Sequence, residues 1–291
     1  MIYRVRHTTR YRYDSPVSQC YNLAHLLPRD SDHQQCLSSS ISVVPQPEAE
    51  GERRDYFGNR SYQFAIQMPH REMDVSVVSE VRVNPRAPMD LRRGPTCEEV
   101  RVGLQRAEDG EVRRAREFTL DSPMIKIRDS LRDFAVEHFV AGDPFPQAVL
   151  DLSCRIHREF NYDPAATTVA TPLHEVLERR SGVCQDFAHL AIGCLRSLGF
   201  AARYISGYLE TLPPPGQVKL VGADASHAWF AVYVPGSGWL EFDPTNDQMA
   251  NEQYIATAWG RDYSDVTPLK GILYGGSSGE PQVAVDVNRM A

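Results

Sequence analysis

The run Arg180-Ser-Gly-Val-Cys-Gln-Asp places a thiol, Cys184, directly after a Ser-Gly-Val turn, where an amphipathic helical pattern begins and runs towards Phe200. Gly182 lets the backbone turn tightly before that helix. A cysteine in a first helical turn faces unpaired N–H groups and the positive end of the macrodipole, which favour a thiolate. The same amides could hold an oxyanion. The competing reading is a small buried hydrophobe, the common fate of a free cysteine. Cys194 takes that second reading, because it lies about 280° around the helix from Cys184. There it joins the apolar face of Phe187, Ala188, Leu190, Ala191, Leu195 and Leu198. Cys20, Cys36, Cys97 and Cys154 are read as structural. Asp186 serves the helix N-terminus, and His189, roughly 140° from Cys184, is poorly aimed as its base.

A thiol nucleophile needs a base within hydrogen-bond reach, and the base needs an orienting partner. Among nine histidines, His7, His25, His33 and His70 fall in the first part of the chain, and His138, His157 and His174 lie in helical patterns. His227 opens a strand-like run, His-Ala-Trp-Phe-Ala-Val-Tyr-Val, after the small residues Ala223, Ala225 and Ser226. The next run, Trp239-Leu-Glu-Phe-Asp-Pro-Thr, offers Asp243, which taken alone reads as a turn-starting Asp-Pro. Strand parity joins the two. Ala228, Phe230, Val232 and Val234 share one face and His227, Trp229 and Tyr233 the other, while Leu240 and Phe242 oppose Asp243. A turn centred on Pro235 makes His227 and Asp243 direct cross-strand partners, and one centred on Gly236 makes them diagonal neighbours. Either register gathers imidazole and carboxylate on the non-core face.

The elements that must position these groups follow from periodicity. Residues 1–116 read as an antiparallel β-sandwich domain: Tyr3, Val5, His7 and Thr9 alternate, Phe57-Gly-Asn-Arg makes a hairpin turn, and Val75, Val77, Val81 and Val83 share a face. Within it, 85–116 is expected to be a loosely packed, charge-rich connector. Residues 117–262 are expected to form the α+β domain that carries the candidate catalytic groups, helices first and strands after. Its helices follow Leu131, Phe134 and Ala135, then Val149, Leu152 and Ile156, then a short one with Thr171 as N-cap and Pro172 first, and finally the Cys184 helix closed by Gly199. Strands follow over 202–209, 227–234 and 239–245, with Leu212-Pro-Pro-Pro-Gly-Gln as a candidate mobile rim. Residues 263–291 are a tail whose Val283, Val285 and Val287 alternate, a strand that would return to a sheet edge.

Composition removes several classes of function. A formal net charge of -7 argues against a nucleic-acid partner. The N-terminus has no apolar signal segment and no apolar run approaches the ~18 residues of a membrane span, so a cytoplasmic location without a membrane partner is the expectation. Six cysteines without a Cys-x-x-Cys suggest reduced thiols and no structural zinc, and no cofactor or metal is expected. Gly275-Gly-Ser-Ser-Gly lacks the Lys-Ser/Thr of a phosphate loop, and Ser226 is not on a strand-to-helix elbow.

Four blocks then stand in order: Gly182-Val-Cys184-Gln-Asp-Phe-Ala, Arg203-Tyr-Ile-Ser-Gly-Tyr208, His227-Ala-Trp229, and Gly238-Trp-Leu-Glu-Phe-Asp243-Pro-Thr, with Asn161-Tyr162-Asp163 upstream. Together they resemble the transglutaminase-like superfamily over about residues 120–250. The strand-rich first part is similar to the N-terminal domain of bacterial transglutaminase-like proteins, often labelled candidate cysteine proteases. The resemblance implies a papain-like core with a Cys184–His227–Asp243 triad. Cys184 would attack an amide carbonyl to form a thioester, His227 would move the proton, and Asp243 would hold the imidazole tautomer. Animal transglutaminases place a tryptophan well upstream of the cysteine at the oxyanion, whereas no tryptophan precedes Trp229 here. Tyr162 is the candidate replacement, with Gln185 and Trp229 as further substrate or oxyanion candidates. Hydrolysis and transamidation both stay open, and calcium is not implied. The expected partner is a protein or peptide bearing glutamine or other amide groups. The alternative from another class is a non-catalytic peptide-binding or scaffold module that retains the fold.

Overall fold

The computed structural model describes residues 1–107, 109–211, 226–276 and 281–290. The 212–217 rim, Ala223 and Ala225 lie outside them. Alternation in the first part produces β1 (Ile2–Ala24), β2 (Gln34–Val44), β3 (Ala49–Arg54), β4 (Arg60–Ile66) and β5 (His70–Val83), ordered β2-β5-β1-β4-β3 in one antiparallel sheet. β1 is long enough to serve two layers. Its first half pairs β5 from Ile2↔Arg82 to Arg12↔Glu72, and its second half pairs β4 from Cys20↔Ile66 to Ala24↔Tyr62. The β5 register breaks between Arg12 and Val17, around Asp14-Ser15-Pro16, where proline cannot donate to the ladder. Bent there, the sheet closes over one core that takes Val17, Leu26, Phe64 and Ile66 from one layer and Met73, Val75 and Val77 from the other.

The stretch expected to be a loose connector is helical instead. α1 (Cys97–Arg106) and α2 (Gly110–Arg116) bury Cys97, Val100, Leu104, Val112 and Ala115 in the same core as the helix that carries Cys184. Thr96 Oγ1 accepts the Glu99 N–H and Glu99 Oε2 accepts the Thr96 N–H at 2.8 Å, while Asp109 accepts from Val112 at 2.8 Å. A boundary at residue 116 therefore separates two helices from the core they pack into. The arginines of this stretch cover the outside, and the apolar stripe beneath them is what the charge obscures.

The chain continues through α3 (Asp129–Ala135), α4 (Phe145–Glu159), β6 (Asn161–Tyr162), α5 (Leu173–Arg179), β7 (Ser181–Gly182) and α6 (Cys184–Ser197). α5 begins one residue later than expected: Pro172 is its N-cap, and Thr171 Oγ1 accepts from Thr168 N–H at 2.9 Å. Every residue from Asp186 to Arg196 in α6 is buried, which makes it the axis of the second domain. Gly199 ends it with φ of +82°, and the Phe200 N–H reaches back to Leu195 O at 3.0 Å.

α6 packs on a second antiparallel sheet of β8 (Ala202–Leu209), β9 (Ser226–Val234), β10 (Gly238–Asp243), β11 (Gln248–Met249) and β12 (Tyr254–Gly260), ordered β11-β10-β9-β8-β12. After α7 (Tyr263–Val266) the tail returns as two strands, β13 (Leu269–Gly275) and β14 (Gln282–Arg289). β13 pairs the second half of β1 and β14 pairs the first, with Val283, Val285 and Val287 opposite Thr9, His7 and Val5. The two domains meet through Tyr3, Val81, Val83, Tyr208 and Ile255, and Gln34 exchanges two hydrogen bonds of 2.8 Å with the Ala256 backbone. Among the described residues no helix is long and apolar enough to cross a membrane.

Candidate active site

The tip of α6 is built by close packing. β6 and β7 lie parallel, with Asp163 N–H donating to Gly182 O at 2.9 Å, so Tyr162 lies beside the glycine. A Cβ on Gly182 would lie 2.6 Å from Asp186 Oδ2, so only glycine lets that carboxylate fold back on the helix start. Asp186 Oδ2 accepts the Val183 N–H at 2.9 Å and the Thr167 hydroxyl at 2.6 Å. Burial raises the Asp186 pKa, with these two bonds opposing the rise. The outcome is a fixed helix tip whose first residue is Cys184, half-buried, with its own amide and that of Gln185 in the unpaired first turn.

His227 comes to this tip from β9. Its Nε2 lies 2.7 Å from Asp243 Oδ2, and Cys184 stands close enough to the same imidazole to raise its pKa. The hairpin adopts the Gly236-centred register, Val234↔Gly238 and Phe230↔Phe242, which makes His227 and Asp243 diagonal neighbours. Gly236 and Gly238 select it, since both hold φ near +80° at 81° and 80°. The face that carries His227 is not open to solvent. Trp229, Ala231, Ala250 and Tyr254 form a second small core on it, which corrects its description as the non-core face.

Asp243 is fully buried and saturated with donors. Besides His227, Oδ2 accepts from Tyr254 Oη at 2.6 Å and Asn246 Nδ2 at 2.7 Å, and Oδ1 accepts the Thr245 N–H at 2.9 Å. Burial alone would raise its pKa, but His227, Asn246 and Tyr254 together hold it below the ordinary carboxylate value. Burial lowers the His227 pKa, and the Asp243 bond with the neighbouring Cys184 overrides it, raising the imidazolium pKa to about 10. Trp229 stacks on the imidazole at 6.0 Å and 22°, with the Tyr254 ring also 6.0 Å away. The ring is thus gripped from the side as well as at Nε2.

The sequence-derived candidates separate here. Cys184, His227 and Asp243 are brought together. Tyr162 stands beside the thiol, 57% exposed, its pKa raised by burial and then by the Cys184 charge. Gln185 is half-buried in the first turn, and among the described residues its side chain makes no hydrogen bond. Trp229 does not serve substrate or oxyanion. It is fully buried, and its Nε1 donates to Glu241 Oε2 at 2.8 Å, a carboxylate that also pairs with Arg86 at 2.8 Å. Asn246 and Tyr254 were not foreseen: Asn246 had a local signal in Asp-Pro-Thr-Asn, whereas Tyr254 arrives on β12, far along the chain. His189 is buried, accepts the Tyr263 N–H at 3.1 Å and has its pKa lowered to about 4 by burial, so it stays neutral inside the core. Burial pushes the thiols of Cys20, Cys36, Cys97, Cys154 and Cys194 upward. Among the described residues no group of His, Cys, Asp and Glu is arranged to hold a metal ion.

A thiol at the tip of a central helix, packed on an antiparallel sheet that carries a His–Asp pair, defines the papain-like α+β class. Residues 137–244 match the transglutaminase-like superfamily, and residues 3–82 match the bacterial transglutaminase-like N-terminal region. An uncharacterized protein of Mycobacterium tuberculosis is 41% identical over 290 residues, covering 98% of this chain and 92% of that one. A protein-glutamine gamma-glutamyltransferase of Pseudomonas aeruginosa is 32% identical over 144 residues, 45% of this chain and 21% of that one. The crystal structure of a candidate cysteine protease from Cytophaga hutchinsonii shares the fold at a TM-score of 0.78 and 23% identity, covering 100% of this chain and 92% of that one. The chain belongs to the transglutaminase-like superfamily, with the bacterial N-terminal region in front of its core.

Proposed function

We propose that the protein is a cysteine-nucleophile acyl-transfer enzyme acting on amide or peptide groups of proteins or peptides through Cys184, His227 and Asp243. One observation carries the reading: a single imidazole is bonded through Nε2 to a buried, donor-saturated carboxylate and stands within electrostatic reach of a helix-tip thiol. In the first half-reaction the Cys184 sulfur attacks the amide carbonyl as its proton resides on His227. The oxyanion is received by the first-turn amides of Cys184 and Gln185. The C–N bond then breaks, His227 gives its proton to the leaving amine, and a thioester remains. Water or a second amine, deprotonated by His227, attacks the thioester and returns the thiolate. Asp243, held anionic by its donors, fixes the tautomer and the ring orientation throughout. The Pseudomonas aeruginosa relative supports transamidation and the Cytophaga hutchinsonii fold supports proteolysis, so water and amine are both candidate acceptors.

Alkylation by iodoacetamide from pH 5 to 9, compared with Cys184→Ala, tests this reading. A Cys184 rate at pH 6 well above that of a free thiol is expected. A rate equal to a free thiol would leave the peptide-binding or scaffold alternative instead. With a glutamine peptide as substrate, ammonia release without incorporation of a fluorescent amine assigns hydrolysis, and incorporation assigns transamidation.

A further inference from the structure

Away from Cys184, a cavity of about 320 Å³ opens where three parts of the chain meet. Phe57 reaches it from the β domain, Phe118 from the turn after α2, and Arg203, Trp239 and Trp259 from the second sheet. Arg203 is 6% exposed and lies between two indoles, its guanidinium carbon 4.1 Å from the Trp239 ring centre and 3.8 Å from that of Trp259. Arg29 stacks on Trp259 as well, and Phe118 meets Trp239 edge-on at 5.3 Å. Cation–π contact offsets part of the desolvation of such a cation. It does not replace hydrogen bonds.

Those bonds are missing. Arg203 Nε is buried without a partner, and among the described residues no hydrogen bond uses this guanidinium. The contrast is Arg196, equally buried in the same domain, whose nitrogens donate to Ala202 O, Ser122 Oγ and Arg261 O. The carboxylate that acts most strongly on Arg203, Glu241, is already occupied by Trp229 and Arg86. A buried charged donor left unmet is costly unless something completes it. Cavities that hold ligands tend to lie at such domain junctions, with aromatic walls and a few convergent polar groups.

We propose that this cavity is a binding site for a small planar carboxylate, its oxygens taking the unmet donors of Arg203 and its flat body lying among Trp239, Trp259 and Phe118. A guanidinium fork matches a carboxylate bidentately. Phosphate offers similar oxygens, but Glu111 and Glu117 at the rim, with Arg114 as the nearby cation, oppose a dianion more than a monoanion. Burial holds the Arg203 pKa down to about 9, and a bound anion would relieve that. Arg203 pairs with Ala231 and His227 with Gly207, four residues along β8, so the site lies roughly 13 Å along the strand from the imidazole. The proposal stands apart from the catalytic reading, and a failed catalytic assay does not touch it.

Two of the chain's three tryptophans line this cavity, so intrinsic fluorescence reports its occupancy. Titration of the whole protein with benzoate is expected to give a saturable change. Benzamide, the neutral isostere, should act at least about tenfold more weakly, and Arg203→Lys should weaken benzoate by a similar factor through loss of the fork. Arg203→Met should abolish the response, Cys184→Ala should leave it intact, and Glu117→Gln at the rim should strengthen it. The proposal is overturned if benzoate and benzamide act alike, if neither saturates, if inorganic phosphate alone saturates, or if folded Arg203→Met still responds. Should Arg203→Met fail to fold by circular dichroism, the Arg203→Lys and Glu117→Gln titrations decide by the same criteria.

Discussion

Arg4 meets Glu80 at 2.8 Å and Arg10 meets Asp74 at 2.7 Å across β1 and β5, with all four side chains reaching water. In the second sheet Asp243 meets His227 at 2.7 Å and Glu241 meets Arg86 at 2.8 Å, with Asp243 wholly buried. The distances are alike and the roles differ. Exposed pairs gain little because water serves the separated ions almost as well. A buried carboxylate loses water entirely and must be given several donors, so it dictates where its neighbours stand. Asp243 has donors from β9, the β10 turn and β12, and the imidazole orientation is the result.

The contrast is broken most severely at Asp243. Asp243→Asn should lower the pH 6 alkylation rate of Cys184 by about 100-fold, because the imidazole beside Cys184 loses the carboxylate that holds its charge. An unchanged rate would show that the carboxylate only packs. The next effect is on stability against pH. The folded pKa of His227 is raised from 6.5 to about 10, so its contribution is complete below the unfolded value and is lost as pH rises from 6.5 towards 10. Melting temperatures should therefore fall more steeply over that window in the native protein than in His227→Gln.

Gly182→Ala tests the helix tip and should destabilise by about 1–3 kcal/mol in urea, since the new Cβ displaces the Asp186 carboxylate. The smallest effect belongs to the β domain. A double-mutant cycle of Arg4→Ala with Glu80→Ala should give a coupling of at most about 0.5 kcal/mol, vanishing in high salt. A coupling several times larger would erase the distinction between the two sheets.

What could be read from sequence was what local period and parity carry. The helix that starts at Cys184, the hairpin turn at Phe57-Gly-Asn and the shared face of His227 and Asp243 are all local patterns. The hairpin register was legible only as two alternatives, because the choice rests on the positive φ of Gly236 and Gly238. Tyr254 and the true place of Trp229 were not legible, since each depends on a partner brought by another strand. α1 and α2 were missed because Arg and Glu crowd the outer face while Cys97, Val100 and Leu104 keep the spacing of a buried stripe.

The bent strand β1 sets an order of assembly. It precedes every other described strand and pairs early with β5 and β4, yet both its halves gain their second neighbours only when β13 and β14 exist, with Tyr3 opposite Arg289 and Ala24 opposite Leu269. During synthesis the β domain must wait for the entire second domain before its ladder is complete. Until then β1 presents two unpaired runs of backbone, the kind of edge that recruits foreign strands. A chain ending after α7 would keep Cys184, His227 and Asp243 and still be inclined to aggregate.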